Sequence, residues 1–322
     1  MPLPPYNTPW LLGNGHLETI WPSLFRRIEP LPYVRETIAL PDGDVLELDW
    51  LTRGARRLAI LSHGLEGNSQ RHYVVGMARA LHAHGWDVLA WNFRGCGGRI
   101  NRLPKFTHNG STDDLHAVIR HALDRSGYPV IVLIGFSMGG NLSLVYLGRE
   151  HDLVPESVRA AICFSVPCDL AAGAVRLAAA ANRLYMKRFL RLMGRKVYQQ
   201  SQRYPQQFPW DHYHTVKNFH DFDSRYTAPL HGFRSARHYW QECSANAYLA
   251  GIRRPSWVIN ARNDPFLAPS CFPDRAAHDN SLLTLIAPVH GGHCGFPQFN
   301  RQGFYWSEEV ALMLLERHFP AS

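Results

Sequence analysis

Residues 130 to 140 read Val-Ile-Val-Leu-Ile-Gly-Phe-Ser-Met-Gly-Gly, and few backbones can accept that order. The β-branched apolar run predicts a buried strand. Gly135-Phe136-Ser137-Met138-Gly139 then requires a turn so tight that only glycine fits on either side of the serine. A helix-like pattern resumes at once. Such a turn holds Ser137 in a strained conformation, its hydroxyl exposed and a helix N-terminus beneath it.

The flanking chain supplies the rest of an α/β architecture. Val34 to Leu51 holds two alternating runs around Pro41-Asp42-Gly43-Asp44, a hairpin signal. Strands are expected at Arg57–Ser62, Trp86–Phe93, Tyr128–Phe136, Val158–Val166, Pro255–Ala261 and Leu282–Ala287. Helical spacing covers Arg71–His84, Ser111–Arg125 (capped by Ser111 or Thr112), Ser137–Glu150 and Gly303–His318. Strands alternating with helices imply a mostly parallel central sheet with helices on both faces. Residues 1–33, rich in proline and aromatics, read as an irregular N-terminal arm. The alternation breaks at 170–251, too long for a plain loop. It reads as a helical cap insertion, which leaves 34–169 and 252–322 as the core.

Charge and cysteine content narrow the partners. The net charge is +8, yet eight basic residues and no acid lie between Leu170 and Trp210. Without that segment the chain holds 26 basic and 26 acidic residues, so the excess is local. No nucleic-acid motif is present, and no nucleic-acid partner is expected. The six cysteines form no C-x-x-C pair and read as reduced, buried residues of a cytoplasmic protein. Met1-Pro2-Leu3-Pro4-Pro5 does not resemble a signal peptide.

A serine hydroxyl needs a histidine to take its proton and an acid to orient that histidine. In a parallel α/β sheet the expected chain order is Ser, acid, His, each at the C-terminal end of a strand. Asp264 follows the strand through Asn260, and His293 follows the last strand. The assignment is Ser137 as nucleophile, Asp264 as acid and His293 as base. His290 is the alternative base, disfavoured because Gly291-Gly292 lets the backbone turn His293 inward. Asp169 is the alternative acid. The plain reading makes Asp264 a turn cap and His293 a loop histidine. An oxyanion needs two donors. These are expected from the backbone N–H groups of Met138 and of Leu65, in the loop His63-Gly64-Leu65-Glu66-Gly67. His63 itself reads as a brace.

These residues resemble the YheT-like branch of the α/β-hydrolase superfamily, related to the mammalian ABHD1/ABHD3-type hydrolases. The matching stretches are Gly15-His16-Leu17-Glu18-Thr19, His63 through Ser69, Asn92 through Gly98 and Gly135 through Asn141. Further matches are Asp223 through Phe233, Asn263-Asp264-Pro265-Phe266 and His290 through Phe296. The resemblance implies the same triad, Ser137, Asp264 and His293, in an esterase-type hydrolase.

His108-Asn109-Gly110-Ser111-Thr112-Asp113 fits an acyltransferase pattern, although helix capping explains it better. Asn92 to Gly98 lacks the spacing of a phosphate loop and reads as a loop near the site mouth. The basic segment 176–203 reads first as a cap helix with a solvated cationic face, and more sharply as a contact for anionic membrane or anionic substrate. The expected enzyme is a serine hydrolase of carboxylic esters, with short- to medium-chain acyl or lipid-like substrates. It needs no metal, organic cofactor or obligate protein partner. The competing readings are acyl transfer to an alcohol on the same triad and a non-catalytic ligand-binding protein.

Overall fold

A computed structural model describes residues 4–320. Among the described residues, eight strands form one sheet in the order β1-β2-β4-β3-β5-β6-β7-β8. β1 (Val34–Ala39) and β2 (Val45–Leu51) make the expected antiparallel hairpin, and Gly43 takes its turn at φ 87°. β2 lies antiparallel to β4 (Asp87–Asn92). From there β3 (Arg57–Ser62), β5 (Val130–Phe136), β6 (Val158–Phe164), β7 (Ser256–Ile259) and β8 (Leu283–Ile286) all run parallel.

Strand alternation divides the core in two. Leu58, Ile60, Ile131 and Leu133 face one side, where α3 (Thr112–Ser126) and α4 (Met138–Arg149) pack. Ala59, Leu61, Val132 and Ile134 face the other, against α2 (His72–Ala83) and α11 (Trp306–His318). The register brings Ser62, Gly135 and Cys163 level, and then Phe164 and Ile259. The loops after β3, β5, β6 and β7 therefore leave from one rim.

Between β6 and β7 the chain runs through α5 (Leu170–Ala178), α6 (Arg183–Ser201), α7 (Phe219–Phe222), a π-helical turn at Asp223–Thr227, α8 (Ala228–Leu230) and α9 (Ala236–Cys243). Between β7 and β8 lies α10 (Asp274–Asp279).

Two local readings need correction. Residues 15–25 are not irregular: Asn14 caps α1 (Gly15–Phe25) by accepting the His16 N–H at 2.8 Å. Pro22 lies inside this helix, and its apolar residues do not face the core, so both usual helix signals are masked. Ser111 does occupy the N-cap of α3, but its hydroxyl accepts the His108 N–H at 2.9 Å and not a helix N–H. Thr112 instead turns its hydroxyl to Arg149 and Glu150.

Arg94, just past β4, holds three acids: Asp114 at 2.7 Å, and Asp44 and Asp42 at 2.9 Å each. Asp44 and Asp114 are buried, so removing the guanidinium would leave uncompensated charge away from water. Arg94→Ala should lower unfolding free energy by about 3–5 kcal/mol, read as a lower urea midpoint. An unchanged midpoint would show that water reaches these carboxylates.

Candidate active site

Ser137 sits between β5 and α4 at φ 53°, ψ −116°. Its N–H donates to the Phe164 carbonyl at 2.8 Å, which ties the turn to β6. A Cβ on Gly135 would lie 2.4 Å from the Gly139 carbonyl oxygen, and one on Gly139 would lie 2.3 Å from that of Ser62. These are backbone obstacles that cannot swing aside. The demand for glycine is therefore steric, and α4 starts directly against the strand ends.

His293 reaches this turn from the loop after β8. Its Nε2 lies 3.0 Å from Ser137 Oγ and its Nδ1 lies 2.8 Å from Asp264 Oδ2. The other Asp264 oxygen accepts the Phe266 N–H at 2.8 Å, which orients the carboxylate. Burial opposes charge on His293, but the adjoining Asp264 carboxylate outweighs it and raises the imidazole above its ordinary pKa. The Phe266 ring lies 4.2 Å from the imidazole, centroid to centroid, and shields it from solvent.

The alternatives go elsewhere. His290 accepts from the Asn263 side chain at 3.1 Å. Asp169 caps α5 through the Ala172 N–H at 3.0 Å. His63 is wholly buried; its Nδ1 meets the Gly64 carbonyl at 2.7 Å and its Nε2 accepts the Phe93 N–H at 3.1 Å. Burial pushes its pKa down to about 3, which suits a neutral brace between the β3 and β4 loops. Asp113, the acid of the acyltransferase pattern, is exposed.

The residues that sequence reasoning left without a role are in the arm. Glu18 of α1 is fully buried. One oxygen accepts from Asn263 Nδ2 at 2.7 Å and from the Gly291 N–H at 3.0 Å; the other faces Thr8 Oγ1 at 3.2 Å and Tyr6 OH at 3.4 Å. Thr19 Oγ1 accepts the His293 N–H at 2.9 Å. The Asn263 side-chain oxygen accepts the Gly292 N–H at 3.1 Å. Thus α1 joins the acid loop to the histidine loop. Gly15 fits because a Cβ there would lie 2.0 Å from the Asn263 carbonyl oxygen. The Gly15-His16-Leu17-Glu18-Thr19 stretch was visible in the sequence, but nothing local said what its acid touches.

Two cavities meet at Ser137 and His293. The inner one, about 1010 Å³ including its open mouth, lies under α5, α6 and α9 and is mostly apolar. Leu65 and Met138 line it beside Ser137; among the described residues neither backbone N–H has an acceptor within the fold. Its polar points include Lys196, which contacts Glu66 at 2.9 Å and Cys96 at 2.8 Å, and Asp223. Asp223 accepts from Thr227 at 2.6 Å and Trp240 at 2.8 Å, and burial raises its carboxyl to about 6. The second cavity opens between α1 and α6, past Ile20, Leu24, Arg188 and Leu192. Among the described residues no cluster of His, Cys, Asp and Glu could hold a metal ion, and no helix is long and apolar enough to cross a membrane. Cys96 is half-buried and the other five cysteines are buried, all unpaired.

The α/β hydrolase fold family matches residues 60–299. YheT of Escherichia coli (strain K12), whose given name includes the word esterase, is 32% identical over 88% of this chain and 84% of its own. Phospholipase ABHD3 of Mus musculus is 29% identical over 90% of this chain and 72% of its own. Among solved structures, the Pyrococcus furiosus esterase Pf2001 superposes with a TM-score of 0.60 at 18% identity, covering 98% of this chain and 96% of that one. The chain belongs to the α/β-hydrolase family. Within it, the chain falls in the YheT-like branch.

Removing the Glu18 carboxylate should misplace the acid and histidine loops without emptying the cavity. Glu18→Ala should lower kcat on a p-nitrophenyl ester about 10–100-fold with little change in KM. Glu18→Gln, which keeps an acceptor oxygen, should recover part of the loss. Equal kcat in Glu18→Ala and the parent, with unchanged circular dichroism, would deny Glu18 this positioning role.

Proposed function

We propose that the protein hydrolyses carboxylic esters through an acyl-enzyme on Ser137. The observation that carries this reading is the chain of contacts Asp264–His293–Ser137, at 2.8 and 3.0 Å, at the floor of an apolar cavity. His293 Nε2 takes the hydroxyl proton as Ser137 Oγ bonds to the acyl carbon. Asp264 stabilises the imidazolium that forms. The Leu65 and Met138 N–H groups would hold the oxyanion, supported by their place beside Ser137 and by the N-terminus of α4. The imidazolium then protonates the departing alcohol. Water, deprotonated by His293, attacks the acyl-enzyme and releases the acid and Ser137.

Residues 170–251 act as a cap in this reading, because α5, α6, α7 and α9 supply the upper wall of the cavity. That wall includes Leu177, Phe189, Met193, Phe219 and Trp240, which suits short- to medium-chain acyl or lipid-like esters. The relative named phospholipase agrees with a lipid-like substrate. The cationic outer face of α6 would draw an anionic substrate or surface towards the mouth.

Activity across p-nitrophenyl esters of increasing chain length tests the proposal. Hydrolysis should rise from acetate to a medium-chain optimum and fall at least about 10⁴-fold in Ser137→Ala. Full activity of that variant would sink the reading. The pH profile gives a second test. His293 must be neutral to accept the proton, so kcat/KM should fall as pH drops through its pKa. Asp264→Asn removes the charge that raises this pKa. The acid limb should therefore move to lower pH, while the plateau falls roughly 10³–10⁴-fold. An acid limb that stays in place would mean that Asp264 does not set the protonation of His293.

A further inference from the structure

Helix α1 is amphipathic in the reverse sense. Its buried positions are Gly15, Glu18 and Pro22, whereas Leu17, Ile20, Leu24 and Phe25 are 48, 37, 60 and 57% exposed. Positions 17, 20, 24 and 25 make a single stripe on a helix. Trp10 and Leu11, just ahead of it, are 88 and 58% exposed. Glu18 accounts for the inward polar face, since it holds the two catalytic loops together. It does not account for a continuous apolar face in water. Scattered exposed leucines need no explanation, but a contiguous stripe of this kind marks a contact surface.

Beside α1 lies α6, joined to it by His16 Nδ1 and Tyr185 OH at 3.2 Å. The outer face of α6 presents Arg183, Lys187, Arg191 and Arg195, with Leu184 77% exposed among them. The helix contains no acid, and among the described residues none of these four cations has a carboxylate within ion-pair distance. Ile20 and Leu24 of α1 and Arg188 and Leu192 of α6 border the same opening, which leads to Ser137 and His293.

We infer that the arm, α1 and α6 form one docking face for an anionic lipid bilayer, with the mouth of the site turned to the lipid. Apolar side chains would enter the boundary between headgroups and acyl chains, while the cations beside them meet the negative surface. A second copy of the chain fits this face less well. A symmetric contact across it would bring the two α6 cation rows together. The inference deepens the ester-hydrolase reading and rests on it for the substrate, a lipid-like ester passing from the bilayer into the cavity without crossing water.

Sedimentation of the full chain with vesicles tests this. One set is phosphatidylcholine alone; the other is an equal mixture with phosphatidylglycerol. The chain should pellet with the anionic vesicles at low salt, and its affinity should fall about tenfold or more in high salt or without the anionic lipid. Leu17→Ser with Phe25→Ser, and Arg183→Gln with Lys187→Gln and Arg191→Gln, should each weaken binding by about tenfold or more. None of these residues lines the catalytic cavities, so hydrolysis of soluble p-nitrophenyl acetate should persist. Circular dichroism checks folding independently of turnover. Loss of vesicle binding with hydrolysis intact in both variants supports the docking face. A parent chain that stays in the supernatant, or variants that bind as it does, overturns the docking face and leaves the esterase reading standing. A dimer in sedimentation velocity that Leu17→Ser with Phe25→Ser disperses would overturn it in favour of self-association.

Discussion

The first turn of α4 presses on the ends of β3 and β5 with no room for a side chain between them. Gly135 and Gly139 are the residues that permit this contact. Because the helix begins there, Ser137 cannot relax into strand or helix geometry and stays at φ 53° on the rim. The same closeness puts the free N–H groups of the first helical turn where charge would develop on a bound carbonyl. Strain of this kind costs of order 1–3 kcal/mol and persists only where the surroundings over-determine it. Here they include the parallel pairing of β3, β5 and β6 and the bond from the Ser137 N–H to Phe164.

A second constraint aligns Asp264 and His293 with that serine. Asp264 and His293 stand on separate loops, one after β7 and one after β8. Glu18 spans them from the arm. Among the described residues no cation pairs with it, and it is tolerable there because hydrogen-bond donors surround both of its oxygens. Arg26, near the end of α1, pairs with Glu308 of α11 at 2.7 Å, so the arm is in turn anchored to the core. The use of Glu18 as an internal tie accounts for the inward polar face of α1. One helix thereby ties the Asp264 and His293 loops from inside and borders the opening of the second cavity from outside.

Much of this was legible in the sequence where the signal was local. The β5 run and its glycines announced the turn at Ser137. The hairpin at Gly43 and the parallel strands from β3 to β8 followed from alternation and buried runs. What escaped reading depended on distant partners. Residues 15–25 hid a helix because Pro22 reads as a breaker and Glu18 interrupts the apolar pattern from the buried side. Glu18 gained its meaning only from Asn263 and Gly291, more than two hundred residues away. The pairing of Lys196 with Glu66 and Cys96 was equally invisible, because it joins α6 to the β3 and β4 loops. Ser111 shows the limit of a local rule: the right residue sat at the helix start and bonded backwards.

The proposed hydrolysis requires that Ser137 Oγ become acylated. A fluorophosphonate reacts only with a hydroxyl that has been activated, and peptide mass mapping identifies where it attaches. One label on the peptide containing Ser137, slowed severely in His293→Ala, is the expected result. A folded protein that takes no label there, or that labels at the same rate without His293, would contradict it.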